Sequence, residues 1–306
     1  MKFLFLAALV VVSACAGPQG EVDSEAGLQV VATTTIVADL LTEIGGDDVT
    51  VVALMGAGVD PHLYKPSAGD VRRLSSAQAV FYSGLHLEGK MSEVLAEIGT
   101  RGVPTIAVGE CVPEDRLIVT EGFAAVHDPH VWFDVSLWMH AAECTGIALA
   151  ELDPDNAARY HERSEAYREE LKGLDAWIYE RVEVLDESQR VLVTAHDAFA
   201  YFGRAYGFEV RGLLGVSTAS EAGAADVRNL AEFINQRRIP AIFVETSVSP
   251  RFVQALQEAV SDRGFDVAIG GSLYSDALGD PGSAAATYIG TVRANVDTIV
   301  GALETE

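Results

Sequence analysis

The tripeptide Asp-Pro-His occurs twice, as Asp60-Pro61-His62 and as Asp128-Pro129-His130. Proline fixes its own φ and pushes the residue before it toward extended backbone, so each histidine stands on a stiff main chain. A stiff backbone suits an imidazole that must meet a fixed partner such as a metal ion. A third histidine, His196, follows the apolar run Val191-Leu192-Val193-Thr194, and Asp276 follows the segment around the last expected strand. Three neutral imidazoles and one carboxylate form a compact N3O donor set for a divalent transition metal.

These residues need elements that bring them together. Runs at 28–34, 49–55, 79–82 and 105–108 read as strands, and 36–44, 68–76, 91–98 and 136–152 read as helices. Asp153-Pro154 then opens a charged stretch free of further proline to about Asp186. In it Tyr160, Tyr167, Leu171, Leu174 and Ile178 fall on one apolar stripe, the pattern of a single long helix. Alternation resumes afterwards, with strands at 191–194, 209–213, 241–244 and 266–269 and helices at 198–206, 224–238, 251–261 and 283–303. The expected class is α/β: two lobes, each a mainly parallel sheet flanked by helices, joined by one long backbone helix. The lobes are expected at 28–152 and 187–306, with the connecting helix at 153–186. In open sheets of this kind ligands bind beyond the carboxyl ends of strands, where His62, His130, His196 and Asp276 fall, two in each lobe.

The chain has 306 residues, 49% hydrophobic and 22% charged, which is a globular composition with room for two cores. Its formal charge of −24, from 21 Lys and Arg against 45 Asp and Glu, argues against nucleic acid as a partner. At the N-terminus Lys2 precedes an apolar run too short to span a bilayer, followed by Val12-Ser13-Ala14-Cys15. This resembles a bacterial lipobox. It predicts a lipoprotein signal peptide at 1–14, lipidation of Cys15 and a flexible tether over 15–27, which places the protein outside the cytoplasm (periplasm or cell surface) on a membrane anchor. Export permits a disulfide between Cys111 and Cys144, and equally leaves them as two free thiols.

Taken together, Asp60-Pro61-His62-Leu63-Tyr64, Asp128-Pro129-His130-Val131-Trp132, Thr194-Ala195-His196-Asp197-Ala198-Phe199, Ser217-Thr218-Ala219-Ser220-Glu221, Phe243-Val244-Glu245 and Tyr274-Ser275-Asp276 resemble the TroA-like metal-binding receptors of ABC importers. The resemblance spans essentially the whole mature chain. It implies His62, His130, His196 and Asp276 as the ligands of one manganese, zinc or iron ion held between the lobes. It also implies Glu221 and Glu245 as groups behind the ligands, an ABC permease as partner and a monomeric receptor. Zinc-dedicated relatives often carry a histidine-rich loop before the second ligand, whereas 112–126 contains no histidine. Strict manganese receptors often place glutamate where His196 stands. The expectation is Mn2+ as favoured cargo with Zn2+ a close second, and affinity falling as histidines protonate below about pH 6.

Two other classes compete. A metal-dependent hydrolase needs an open metal position and a general base, and no His-Glu-x-x-His motif appears. An adhesin built on the same fold would leave no motif of its own. The stretch Gly84 to Met91 nearly matches a phosphate-binding loop, but Met91 lacks the hydroxyl that would hold magnesium. His86 and His127 read as satisfied or solvated histidines rather than accessory ligands, and His140 and His161, on expected helices, read as surface.

Overall fold

A computed structural model of the chain describes residues 27–120, 127–220 and 222–304. The expected signal peptide, the lipidation site Cys15, the tether up to residue 26 and Glu221 lie outside the described residues.

Val-rich segments in the first half form a parallel sheet whose connections are helical. In chain order the elements are β1 (Leu28–Ala32), α1 (Thr35–Gly45), β2 (Val49–Ala53), α2 (Ala68–Ser76), β3 (Ala79–Tyr82), α3 (Ser92–Thr100), β4 (Thr105–Ala107) and α4 (Val135–Leu152). The strands lie in the order β2-β1-β3-β4, all parallel, with Val30 opposite Val51 and Val31 opposite Val80. Strand order reverses between β1 and β3, and a buried carboxylate sits just past that point. Glu88 accepts hydrogen bonds from Thr33 Oγ1 at 2.7 Å, the Ser83 amide at 2.7 Å and the Gly84 amide at 3.2 Å. Burial pushes its pKa up and these bonds oppose the shift. The same bonds dispose of the phosphate-loop reading: amides that would cradle a phosphate are taken by the chain's own glutamate. Glu88 also pins a left-handed turn, with φ of 81° at Gly84, 51° at Leu85 and 66° at His86.

The long helix α5 (Ala157–Val182) is shorter than the 153–186 expected. Pro154–Asn156 form a tighter 3-10 turn ahead of it, and beyond it Asp186 turns away to cap the next such turn with Gln189. The predicted stripe is correct: Tyr160, Tyr167, Leu171, Leu174 and Ile178 are all buried. Gly146 of α4 lets the two helices touch, since a Cβ there would meet Ser164 Cβ at 2.7 Å.

After α5 come β5 (Val191–His196), α6 (Ala200–Tyr206), β6 (Glu209–Leu214), α7 (Ala224–Arg237), β7 (Ala241–Glu245), α8 (Arg251–Ser261), β8 (Ala268–Leu273) and α9 (Tyr288–Leu303). β5 pairs with β6 and β7 with β8, both parallel, while β5 and β7 lie side by side without a regular ladder. The α/β class with parallel strands, flanking helices and a long central helix is therefore as expected. Two elements start later than their patterns suggest. β8 begins at Ala268 rather than 266, with Gly271 at φ 148° near a register irregularity against β7. α9 begins at Tyr288 rather than 283 because Thr287 caps it and the Ala285 carbonyl is taken by the Gly279 amide (2.7 Å) and Thr291 Oγ1 (2.6 Å). Among the described residues no helix is long and apolar enough to cross a membrane.

One core runs through α1, α4, α5, α6 and α9, so the two halves share it. Segments either side of α5 are also stitched by polar bonds: the Leu278 amide to Thr35 Oγ1 (2.8 Å), the Tyr288 hydroxyl to the Trp132 carbonyl (2.7 Å), and the Tyr288 amide to Asp39 Oδ2 (2.9 Å). Burial raises Asp39 from 3.8 to about 6, the Tyr288 amide opposing and Glu43 adding. A raised folded value means that the protonated form is the better tolerated one. Its stabilising share is present below about pH 4 and is lost as pH rises through about 6, a cost of about 3 kcal/mol at pH 8. Asp39→Asn keeps an acceptor for Tyr288 and removes the charge. In urea titrations this variant should match wild type near pH 4 and be the more stable by about that amount at pH 8.

Candidate metal centre

His62 lies in the loop between β2 and α2, where Asp60 Oδ1 accepts its backbone N–H at 2.9 Å. His130 lies ahead of a 3-10 turn at Val131–Phe133, and Asp128 Oδ1 accepts its backbone N–H at 2.9 Å. The two Asp-Pro-His stretches thus share one local device, a carboxylate that fixes the amide two residues on. His196 is the last residue of β5, and Glu245, the last residue of β7, accepts its amide through Oε1 at 2.8 Å. Asp276 follows β8, with Ser275 just before it accepting the Trp132 indole N–H at 3.1 Å through its carbonyl.

The four side chains converge and are buried, with His62 4% exposed, His130 and His196 0% and Asp276 1%. Nε2 of His130 lies 3.3 Å from Nε2 of His62 and 3.4 Å from Nε2 of His196. Asp276 Oδ1 lies 3.4 Å from Nε2 of His130 and 3.5 Å from Nε2 of His196. All four candidate ligand atoms fall within 4.8 Å of one another. A tetrahedral ion with bonds of about 2.0–2.1 Å sets its donors about 3.3–3.4 Å apart, so four of the contacts already have the edge length of such a shell.

Protonation completes the case. His130 Nδ1 faces Asp128 Oδ1 at 2.7 Å, and His196 Nδ1 faces Glu245 Oε2 at 2.5 Å. Each carboxylate can only accept, so each Nδ1 carries its hydrogen and each Nε2 turns a lone pair inward. Asp276 Oδ2 accepts from Ser247 Oγ at 3.0 Å, whereas the buried Oδ1 accepts no hydrogen bond of normal geometry. Lone pairs from buried donors therefore converge on one point, a costly arrangement unless positive charge, a proton or a cation, sits among them.

The titration behaviour follows from the same crowding. Burial takes the His62 imidazole down to about 3, with Asp276 opposing and the other two histidines adding to the shift. Burial also favours neutral His130, but Asp128 and Asp276 outweigh it and raise that ring to about 9. His196 is likewise raised, Glu245 and Asp276 overcoming burial, and Asp276 is held well below the carboxylate range by the histidines despite its burial. Without an ion, protons supply the positive charge at the centre, and an incoming cation displaces them.

Above the centre a cavity of about 720 Å3 is lined by His62, Asp128, Asp197, Gly215 to Ser217, Ala219 and Ser220, among others. His86 and His127 also line it but stand outside the four-residue cluster. His161 is exposed on its helix, as expected of a surface residue, whereas His140 is half-buried on α4. Cys111 and Cys144 are joined, with their Cα atoms 6.2 Å apart. Sequence reasoning missed Asp128, Asp60 and Ser247. A signal for the first two existed, because the repeated tripeptide repeats its aspartate as well as its histidine.

A family model described as the zinc-uptake complex component A, periplasmic, ZnuA, matches residues 30–302. The chain belongs to the ZnuA family. Within that family, it is 50% identical over 275 residues to the zinc-binding protein TroA of Treponema pallidum, covering 90% of this chain and 88% of that one. It is 47% identical over 277 residues to the manganese-binding lipoprotein MntA of Bacillus subtilis, covering 90% of each. The solved structure of the periplasmic TroA from Treponema pallidum superposes with a TM-score of 0.88 at 48% identity, covering 91% of this chain and all of that one. A manganese-bound periplasmic protein of Candidatus Liberibacter asiaticus, the S38A mutant, superposes at 0.80 with 27% identity, covering 90% and 100%. The ZnuA family is thus represented among its near relatives by proteins named for either metal.

Proposed function

We propose that this member of the ZnuA family is an extracytoplasmic receptor that binds Mn2+ or Zn2+ through His62, His130, His196 and Asp276 and delivers it to an ABC permease. The observation that carries the reading is the convergence of Nε2 lone pairs on a buried, hydrogen-bond-free Asp276 Oδ1 at 3.4 and 3.5 Å. Residues 28–152 and 187–306 serve as the two lobes around the ion, with α5 as the rigid connector between them. Lipidation of Cys15 anchors the protein at the membrane, a role consistent with relatives named as lipoproteins. The receptor works as a monomer.

Four protein donors fill a tetrahedral shell, so no position stays open for an activated water, and the hydrolase reading lacks its reacting group. Between the two ions, an N3O donor set holds zinc more tightly than manganese in simple equilibrium. Tight zinc binding in the test tube therefore does not assign the cargo. Manganese remains the favoured cargo on the absence of a histidine-rich stretch in 112–126. Elemental analysis of protein purified without chelators, followed by competition between the two ions, tests the reading. About one ion per chain is expected. Protein that stays empty after exposure to both metals would overturn it.

A further inference from the structure

The two aspartates of the twin tripeptide do the same thing to the backbone and different things with the rest of their carboxylates. Asp128 spends Oδ1 on its own histidine, accepting from both the amide and Nδ1 of His130. Asp60 holds the His62 amide with Oδ1 and sends Oδ2 across the cleft, where it accepts the Thr218 hydroxyl at 2.6 Å. Thr218 belongs to the segment between β6 and α7, folded on itself by the Ser220 amide on the Ser217 carbonyl (3.2 Å) and the Ala219 amide on Ser217 Oγ (3.3 Å).

Position gives this bond its meaning. Of the four converging residues, His62 is the one that lines the cavity above the centre, and Gly215, Val216, Ser217, Ala219 and Ser220, on either side of Thr218, form part of the same wall. His130 is steadied from the second half by the Tyr201 hydroxyl on the Asp128 carbonyl (2.9 Å). His196 ends a buried strand. His62 instead sits on the irregular loop between β2 and α2, the kind of segment that opens locally at low cost. An ion leaving through the cavity passes the one ligand that faces it, and that ligand cannot swing aside while Asp60 is held on both oxygens.

We propose that Thr218 is a positioning residue that latches the His62 loop to the opposite wall of the cleft and slows release of the bound ion. The proposal rests on the receptor reading above. Thr218 touches no ion. It acts through Asp60, so its removal changes dissociation more than association.

The test is a chelator chase on zinc-loaded, full-length protein, with a chromophoric chelator in excess and release followed by stopped flow. Thr218→Val keeps the shape and removes the hydroxyl, and Thr218→Ser keeps the hydroxyl. A hydrogen bond to a carboxylate at a half-buried site predicts about tenfold faster release for Thr218→Val. Thr218→Ser should stay within about twofold of wild type, and Thr218→Ala, carried alongside in case valine disturbs the wall, should follow valine. Association rates of all four proteins should stay within about twofold of one another while release separates them, which a merely structural role would not produce. Equal release rates for wild type, valine and alanine proteins that each bind zinc would overturn the latch and leave the receptor intact. Wild-type protein that binds no zinc would overturn the receptor reading and the latch with it.

Discussion

His130→Ala and Asp276→Ala each weaken zinc binding by on the order of 10²–10³-fold, measured by competition with a chelator of known affinity. The estimate follows from sharing the roughly 10–16 kcal/mol of a structural zinc site among four donors, about 3 kcal/mol apiece. His130 is the hub of the cluster, within 3.3–3.4 Å of three partners. Its loss also leaves Asp128 buried beside an empty space. Asp276 is the single anionic member of the set, and its loss leaves three imidazoles with no charge to offset the ion. His161→Ala, at an exposed position on α5, should bind as wild type does. Unchanged affinity in both His130→Ala and Asp276→Ala would remove these residues from the site.

The second large effect belongs to residues that would never touch the ion. Asp128 and Glu245 fix the ring orientation and tautomer of His130 and His196 through contacts of 2.7 and 2.5 Å. Partners of this kind are typically worth 10–100-fold in metal affinity. Asp128→Ala and Glu245→Ala should fall in the upper part of that range, because each frees a ring and also strips a bond from the histidine's own amide. Asp128→Asn and Glu245→Gln keep an acceptor and lose only the charge, so they should cost about tenfold. Chelator competition reads all four. An amide variant as damaging as its alanine counterpart would mean that charge, rather than orientation, is what these positions supply.

Much of this was legible in the chain itself. Periodicity located the sheet strands and the long helix, since Tyr160 to Ile178 repeats at helical spacing and every member of the stripe is buried. The four converging residues were legible because proline stiffening and strand ends mark them locally. What stayed hidden depends on contacts between distant residues. Glu245 was marked by the resemblance alone, without its partner, the ring of His196 49 positions away, and Thr218 reaches Asp60 158 positions away with no mark at all. Neither side chain carries a local mark of its partner. The start of α9 was misplaced for a similar reason, as residues 283–286 have helical composition but the Ala285 carbonyl is spoken for by Gly279 and Thr291. The near-match to a phosphate loop failed through Glu88, whose pairing with the amides of Ser83 and Gly84 appears only once the chain is folded.

Everything above turns on one coordination shell, and X-ray absorption at the zinc edge of loaded wild-type protein observes that shell directly. The expected spectrum has three imidazole nitrogens and carboxylate oxygen at about 2.0–2.1 Å, with outer-shell scattering from three rings that drops to two in His196→Ala. A spectrum fitted by water or carboxylate oxygens alone, or one unchanged in His196→Ala, would contradict the account.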